Sequence, residues 1–245
     1  MTAETACPTP ASAEPMPTLE LLTTVGGIAV RRRRGETAFF FTAGMTIDAD
    51  GAPRAYHPPL IGRPGGAPPG LDDLRNAGRP GHWFGIVTDN QGKPVVQRRG
   101  DPAPGFYVSA TSLVQRGPFA AGDPRRYVDA STIPFFVLPG PALHTGHARL
   151  GDFGAVWNRH TEKLAFAIFA DIGPTTRIGE GSIALARELG IPDSPLSGGA
   201  DDGISYVVFA GSGNGFARPP IQIRANSQKL LERWGGVARL KNIAP

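Results

Sequence analysis

Two carboxylates lie close together in the segment FADIGPTTRIGEGS, residues 169–182, and they could carry out acid–base chemistry. Asp171 ends an apolar run, and Glu180 follows nine positions later, across a Gly-Pro turn and a short polar stretch. A pair of carboxyl groups hydrolyses a glycosidic bond when one protonates the leaving oxygen and the other acts on the opposite face of the sugar. The same acids could instead cap a turn and precede a helix N-terminus, where negative charge is favourable. The spacing alone leaves both interpretations open.

The neighbours of the two acids predict different protonation states. Glu180 stands near Ile178 and Ile183, and partial burial would raise its pKa towards the value that a general acid needs. Asp171 stands at the end of a strand-like run, where backbone N–H groups could keep it ionised. We therefore predict that Glu180 is the general acid and Asp171 the general base.

The elements that must hold these acids are predicted to be short strands, with few helices. Seven runs are rich in β-branched and aromatic residues and are bounded by Gly, Pro, Asn or Asp, which is typical of strands. These runs are residues 82–89, 93–98, 105–114, 132–139, 153–158, 163–170 and 205–210. A helix is predicted over residues 181–190, with Ser182 as its N-cap and Gly190 as its stop signal. A second helix is predicted over residues 226–236.

The distribution of Gly and Pro predicts how the chain is organised. Residues 1–35 are rich in Ala, Pro, Thr and Glu and then basic, which is typical of a disordered tail. Residues 36–245 are predicted to form a single mainly β domain. Within that domain, residues 52–80 are dense in Pro and Gly. A long irregular segment of this kind is usually functional or mobile.

Composition and charge exclude several classes of protein. The hydrophobic content of 40% is sufficient for a buried core. The net charge is +4, but four positive charges lie in one run, Arg31 to Arg34. Such a run is more often solvated than bound to nucleic acid, so we expect no nucleic-acid partner. Cys7 is the single cysteine, which excludes an internal disulfide. No apolar stretch is long enough to predict a membrane span, and the first 22 residues lack the features of a secretory signal.

The order of motifs around the acid pair resembles the core of double-psi β-barrels. A Gly-Asp turn, a strand, a polar turn, a second strand, Asp-x-Gly-Pro and Gly-Glu-x-Ser precede an Ala-rich helix over residues 151–190. This order is similar to that of rare lipoprotein A-type lytic transglycosylases, and expansins and some inverting endoglucanases share the barrel. The resemblance implies a mainly β fold with a double-psi-like six-stranded β-barrel core, one or two short helices and long Pro/Gly-rich loops.

A second resemblance covers more of the chain, from about residue 40 to residue 215. The blocks that carry it are TIDADG (46–51), YVDASTIPFFVLP (127–139), GAVWN (154–158), FADIGPTTRIGEGSIALA (169–186) and YVVFAGSG (206–213). They resemble the fungal chitosanases of glycoside hydrolase family 75, in the order of that family. The Asp-to-Glu interval of nine residues is similar to that of the family's two essential carboxylates. The resemblance therefore implies that Asp171 and Glu180 are catalytic.

The chitosanase resemblance also implies a substrate and a mechanism. The substrate would be chitosan or a related amino-sugar polymer, cleaved within the chain with inversion and without a cofactor. Separately from the resemblance, we expect a monomer, although the sequence leaves the oligomeric state open. Asp48 and Asp50 could line the cleft and bind the ammonium groups of glucosamine units, or they could form an Asp-rich turn. His144 and His147 have a spacing that can bind a metal, but the resemblance brings no metal and we expect none. The resemblance implies secretion.

Two other functions stay open at this point. The lytic transglycosylase resemblance favours a peptidoglycan-active enzyme with the same acids, and a basic protein suits an anionic wall. A non-catalytic barrel that binds polysaccharide is a third possibility, as in expansin-like modules. The presence of both acids argues against this last function.

Overall fold

Strands form where the chain is richest in Phe, Val, Ile and Ala, and most of their residues are buried. The computed structural model describes residues 18–59 and 70–243. Within them the strands are Leu19–Val25 (β1), Ile28–Arg33 (β2), Phe39–Asp48 (β3), Gly78–Arg79 (β4), His82–Trp83 (β5), Phe135–Pro139 (β6), Phe153–Asn158 (β7), Leu164–Gly173 (β8), Glu180–Ser182 (β9) and Ala200–Phe209 (β10). The helices are Gly140–Gly146 (α1), Ile183–Leu189 (α2), Pro220–Trp234 (α3) and Gly236–Lys241 (α4), with 3₁₀ helices at Leu74–Ala77 and Pro124–Arg126.

Six of these strands close into a barrel. The hydrogen-bonded order is β3, β10, β7, β8, β6 and β9, and β9 pairs again with β3. The pairs β6–β8 and β3–β9 are parallel, and the other four pairs are antiparallel. Closure removes the unpaired edges that an open sheet would expose. The predicted fold class is confirmed: the chain is mainly β, with a closed six-stranded barrel and short helices.

Large aromatic side chains fill the core, and a glycine provides part of the space. The ring of Phe41 stacks on that of Tyr206 at 4.6 Å, and the ring of Phe136 stacks on that of Phe169 at 5.9 Å. A Cβ atom at Gly154 would lie only 2.7 Å from the Phe136 ring and 2.8 Å from the Val207 carbonyl oxygen. Gly154 therefore allows a bulky ring and a neighbouring strand to approach β7 together.

The chain between residues 82 and 114 differs from the prediction. Three strands were predicted there, but the structure has only the short strand β5 and isolated bridges such as Thr88 to Pro94 and Val96 to Tyr107. Pro94 has no N–H to donate to a ladder. Closely spaced turns at Asp89 and Asp101 also interrupt the pairing. The segment therefore folds as an irregular layer beside the barrel.

The N-terminal part of the described chain also differs from the prediction. The sequence analysis included residues 1–35 in a disordered tail, of which residues 1–17 lie outside the described residues. Residues 19–33 form the hairpin of β1 and β2, and Arg31 and Arg32 pair with Phe40 and Phe39 of β3. Val30 of β2 is buried and the other residues of this strand are half-buried, although its second half is a run of arginines. Secondary structure therefore begins earlier than composition indicated. The division into a tail and one domain stays a prediction.

The predicted helices are both present, and further helices were not predicted. Helix α2 spans Ile183–Leu189, with Ser182 as its N-cap and Gly190 as its C-cap, as the capping signals indicated. Helix α3 begins six residues before the predicted segment. In the part of the chain that the structure describes, no helix has the length and apolar character needed to cross a bilayer.

One buried hydroxyl joins β9 and α2 to the start of β6. Ser182 Oγ accepts hydrogen bonds from the N–H groups of Leu185, at 3.1 Å, and Phe135, at 3.0 Å. It donates to the carbonyl oxygen of Ile133, at 2.8 Å. The side chain is therefore an N-cap and also a link between two barrel strands.

We expect Ser182→Ala to lower the free energy of unfolding by about 1–3 kcal/mol, because it leaves two buried N–H groups and one carbonyl oxygen without this partner. Urea unfolding followed by circular dichroism measures the change. Ser197→Ala is the matched control, since Ser197 is exposed, and it should change the free energy by less than about 0.5 kcal/mol. Equal stability of the two variants would contradict the prediction.

Candidate active site

The two predicted catalytic acids lie on the two strands that flank β6, at the same level of the barrel. Val137 of β6 pairs with Asp171 of β8 on one side and with Glu180 of β9 on the other. Neighbouring strands lie roughly 4.8 Å apart, so the two acids are separated by about two strand spacings at their backbones. Residues in register on neighbouring strands point to the same face of the sheet. Asp171 and Glu180 therefore face one space across Val137.

Gly173 has no side chain, and this leaves room for the Glu180 carboxylate. Gly173 follows Asp171 by two positions on β8, so it belongs to the same face of the strand. A Cβ atom at Gly173 would lie 3.3 Å from Glu180 Oε2 and 2.9 Å from Val137 Cγ1. The glycine of the Asp-x-Gly-Pro motif therefore lets the Glu180 carboxylate reach over β6 towards β8.

Three donors hold one oxygen of Asp171. The Ser112 hydroxyl donates to Oδ1 at 2.5 Å, and the N–H groups of Ser112 and Ile172 donate to it at 2.9 and 2.8 Å. Burial raises the pKa of Asp171, and the hydrogen bonds from Ser112 and Ile172 act in the opposite direction. Among the described residues, none donates a hydrogen bond to Oδ2. The arrangement fixes the carboxylate and leaves one oxygen for chemistry.

Glu180 has a different environment. Within the described part of the chain, no hydrogen bond reaches its carboxylate, and burial raises its pKa. The charge of Arg177 opposes this rise, whereas the nearby Asp171 and Asp72 carboxylates add to it. A carboxyl group that is buried beside other acids favours its protonated form.

All four residues that the sequence analysis selected line one cavity of about 490 Å³. Asp48 ends β3 and Asp50 follows in the next turn, where the Asp50 N–H donates to Asp48 Oδ1 at 2.7 Å. This hydrogen bond belongs to the Asp-rich turn that was the alternative interpretation of these residues. Asp48 and Asp50 therefore form the turn and also line the cavity. Asp72 adds a fifth carboxylate, and Arg177 is the single basic residue among the described residues that line the cavity.

The chain matches a known family over half of its length. Residues 110–233 match the family model described as fungal chitosanase of glycosyl hydrolase group 75. The chain belongs to this family. No curated protein matches the chain. This chitosanase-family protein is therefore a glycoside hydrolase, and the match contains Asp171 and Glu180 but begins after Asp48, Asp50 and Asp72.

Asp50 of this chitosanase-family chain is held on several sides. The Tyr56 hydroxyl donates to Asp50 Oδ1 at 2.7 Å, and the Ser109 hydroxyl lies 3.4 Å from the same oxygen. A Cβ atom at Gly85 would lie 2.8 and 2.9 Å from the two carboxylate oxygens. Gly85 is therefore the residue that allows the segment after β5 to pack against Asp50.

Burial and mutual repulsion raise the pKa values of Asp48 and Asp50 well above those of ordinary aspartates. For Asp48, burial is the largest cause, followed by the charges of Asp50, Asp171 and Glu180. For Asp50, burial is again the largest cause, and the charge of Asp171 is next. A cation that enters the cavity would reduce this repulsion and favour the ionised forms.

The acids are close enough to hold a cation together. One oxygen each of Asp48, Asp50 and Asp171 can be chosen so that all three lie within 4.8 Å of one another. Carboxylate oxygens bind hard metal ions, and they also accept hydrogen bonds from an ammonium group. His144 and His147 are not part of this cluster: His147 instead ends helix α1 in the left-handed conformation.

Sequence reasoning missed several residues of the cavity. Tyr56, Asp72 and Asn76 come from the irregular segment before the family match, and Ser112, which donates to Asp171, was not predicted. Arg177 lies between Asp171 and Glu180 in the sequence, and this position could have predicted that its charge acts on the pKa of Glu180. For Asp72 the sequence carries no such signal, because only the folded chain brings residue 72 near residue 180.

We expect the free energy of unfolding to decrease as pH rises from about 4 towards neutrality. The folded pKa values of the cavity acids are raised, so the folded state binds more protons than the unfolded state over this range, and stability falls as pH rises. Asp48→Asn removes one buried charge and keeps an acceptor for the Asp50 N–H. It should raise the melting temperature at pH 7.5, by about 2–4 °C for each kcal/mol gained, and by less at pH 4.

Calorimetric melts at pH 4 and pH 7.5 measure this effect. Asp201→Asn is the matched control, because Asp201 is exposed and lies outside the cavity. A gain for Asp48→Asn that is the same at both pH values, or no larger than that of Asp201→Asn, would contradict the electrostatic explanation.

Proposed function

We propose that the protein is an endo-chitosanase that hydrolyses β-1,4 linkages between glucosamine units with inversion. Glu180 is the general acid and Asp171 the general base. The observation that carries the proposal is that both acids pair with Val137 from opposite sides and line one cavity. Inverting enzymes hold their two carboxyl groups roughly 6.5–9.5 Å apart, so that a water fits between one carboxylate and the sugar. The backbones of the two acids lie about two strand spacings of roughly 4.8 Å apart, and the Glu180 carboxylate reaches over β6, so we expect the carboxyl groups to lie closer together than the backbones.

The environment of Asp171 supports its role as the base. A general base must be ionised before it can take a proton from water. The three hydrogen bonds to Oδ1 favour the ionised form and fix the orientation of the group. Oδ2 is the oxygen that activates the water, which attacks the anomeric carbon from the side opposite the leaving sugar.

The environment of Glu180 supports its role as the acid. Its raised pKa keeps the proton on the carboxyl group at a pH where an exposed glutamate would have lost it. During cleavage this proton passes to the glycosidic oxygen as the bond to the anomeric carbon breaks. The water that Asp171 deprotonates supplies the new hydroxyl group, so the reaction needs no further reagent.

The charge of the cavity supports chitosan as the substrate in preference to peptidoglycan. Of the described residues, five carboxylates and one arginine line the cavity, although the whole chain carries a net charge of +4. Charges separated by more than about 8–10 Å are largely screened at physiological salt, so the local charge decides what binds. Glucosamine polymers carry ammonium groups, for which Asp48 and Asp50 are the proposed partners, whereas a bacterial wall is anionic.

We expect Glu180→Gln and Asp171→Asn each to lower the rate of chitosan cleavage by at least about 10²–10⁴-fold, because each removes one proton-transfer group. Release of reducing ends from chitosan measures the rate, and proton NMR of the first products shows whether the anomeric configuration is inverted. Peptidoglycan is assayed in parallel. Cleavage of peptidoglycan alone would contradict the substrate, and a variant with undiminished activity would contradict its role.

Two further variants separate the acid from the base. Ser112→Ala removes a hydrogen bond that lowers the pKa of Asp171, so the acidic limb of the pH–kcat/KM profile should move to higher pH. Arg177→Gln removes a charge that lowers the pKa of Glu180, so the alkaline limb should move to higher pH. If the two shifts are exchanged between the limbs, the roles of Asp171 and Glu180 are the reverse of those proposed.

A further inference from the structure

Residues 70–85 form a wall of the cavity that lies entirely before the family match. This segment contributes Asp72, Asn76 and Phe84 to the lining. Asp72 precedes Asp73, the N-cap of the 3₁₀ helix Leu74–Ala77, and Phe84 directly follows strand β5. The family match begins at residue 110, so the match assigns no role to these side chains.

Backbone hydrogen bonds attach the wall to the chain that follows β3. The N–H of Asp72 donates to the carbonyl oxygen of Ala55 at 3.1 Å, and the N–H of Leu71 donates to that of Arg54 at 2.9 Å. The N–H groups of Phe84 and Gly85 both donate to the carbonyl oxygen of Ala77, at 3.1 and 3.2 Å. These hydrogen bonds hold the backbone at Asp72 and Phe84 in place before a ligand binds. The entropy that is lost when the two residues are ordered on binding is therefore smaller.

Phe84 exposes an aromatic ring in a cavity that carboxylates also line. Its exposed fraction is 73%, although it is a large apolar residue and lines the cavity. The neighbouring Trp83, in contrast, packs towards Tyr107, with ring centroids 6.4 Å apart. An aromatic ring beside hydrogen-bonding groups suits the apolar C–H face of a pyranose ring, which would cover the exposed surface.

Asp72 has one oxygen held by the protein and one that faces fewer partners. Its Oδ1 accepts from the Asp73 N–H at 2.7 Å and from Asn76 Nδ2 at 2.9 Å. Its Oδ2 lies 3.5 Å from the Tyr56 hydroxyl, which makes its shorter hydrogen bond, at 2.7 Å, to Asp50. Oδ2 can therefore accept a hydrogen bond from a bound ammonium group, while Asn76 keeps the carboxylate in place.

We propose that Asp72 and Phe84 form a binding subsite for one glucosamine unit, in which the Phe84 ring stacks on the sugar and Asp72 binds its ammonium group. The subsite rests on the proposed function for its substrate class. It also gives residues 70–85 a role, since they add selectivity for the free amine to a cleft whose catalytic acids come from the barrel.

Binding to an inactive enzyme tests the subsite separately from catalysis. In the Glu180→Gln background, calorimetry measures the dissociation constants of a β-1,4-linked glucosamine hexamer and of its fully N-acetylated counterpart. Phe84→Ala should weaken binding of the glucosamine hexamer about tenfold, and Phe84→Trp should retain it. Asp72→Asn should weaken binding of the glucosamine hexamer and reduce its preference over the acetylated hexamer.

The matched controls are Ile221→Ala and Asp202→Asn. Neither residue lines the cavity. Ile221 is 77% exposed on helix α3, and Asp202 pairs with His160. Neither control should change either dissociation constant by more than twofold, and melting temperatures show whether each variant is folded.

Each outcome bears on the subsite. Unchanged binding in folded Phe84→Ala and Asp72→Asn would overturn it, even if the wild-type enzyme cleaves chitosan. An equal loss for both hexamers in Asp72→Asn would overturn the assigned ammonium contact. Weakened binding in these variants, together with a wild-type protein that hydrolyses no chitosan, would support the subsite and reject the proposed hydrolysis.

Discussion

The pairing of β6 with β8 on one side and β9 on the other is the constraint on which the site depends. Val137 is in register with Asp171 and Glu180 at once, so the separation of the two acids follows from the spacing of strands in a sheet. A shift of either pairing by one residue would turn its acid to the other face. Ser182 secures this arrangement, because its hydroxyl joins the end of β9 to the start of β6.

The cavity gathers carboxylates that repel one another, and the rest of the fold must stabilise this arrangement. Burial raises the pKa values of Asp48, Asp50, Asp171 and Glu180, which means that their ionised forms destabilise the folded state. Active sites commonly carry such strain because a group with a shifted pKa is useful in catalysis. Here the same strain would be relieved by a polycationic substrate, which links binding to the stability of the folded protein.

The barrel and the irregular layer beside it contribute different parts of the site. The barrel supplies Asp171 and Glu180, which lie within the family match. The register of the barrel strands fixes the positions of these two acids. The irregular chain between β3 and β6 supplies Tyr56, Asp72 and Phe84, and Tyr56 and Ser109 join it to the end of β3 at Asp50. In the proposed function, catalysis and selection of the sugar therefore fall to separate parts of one chain.

The sequence by itself determined the acid pair, the turn between its members and the helix that begins after Ser182, because these features depend on local spacing and capping. It also predicted the mainly β barrel, through a motif order similar to that of a known family. Only the tertiary structure decided that Asp72 and Phe84 join the cavity and that residues 19–33 extend the sheet. Contacts between residues this far apart depend on how the barrel closes and how irregular segments pack on it, and no local periodicity encodes that packing.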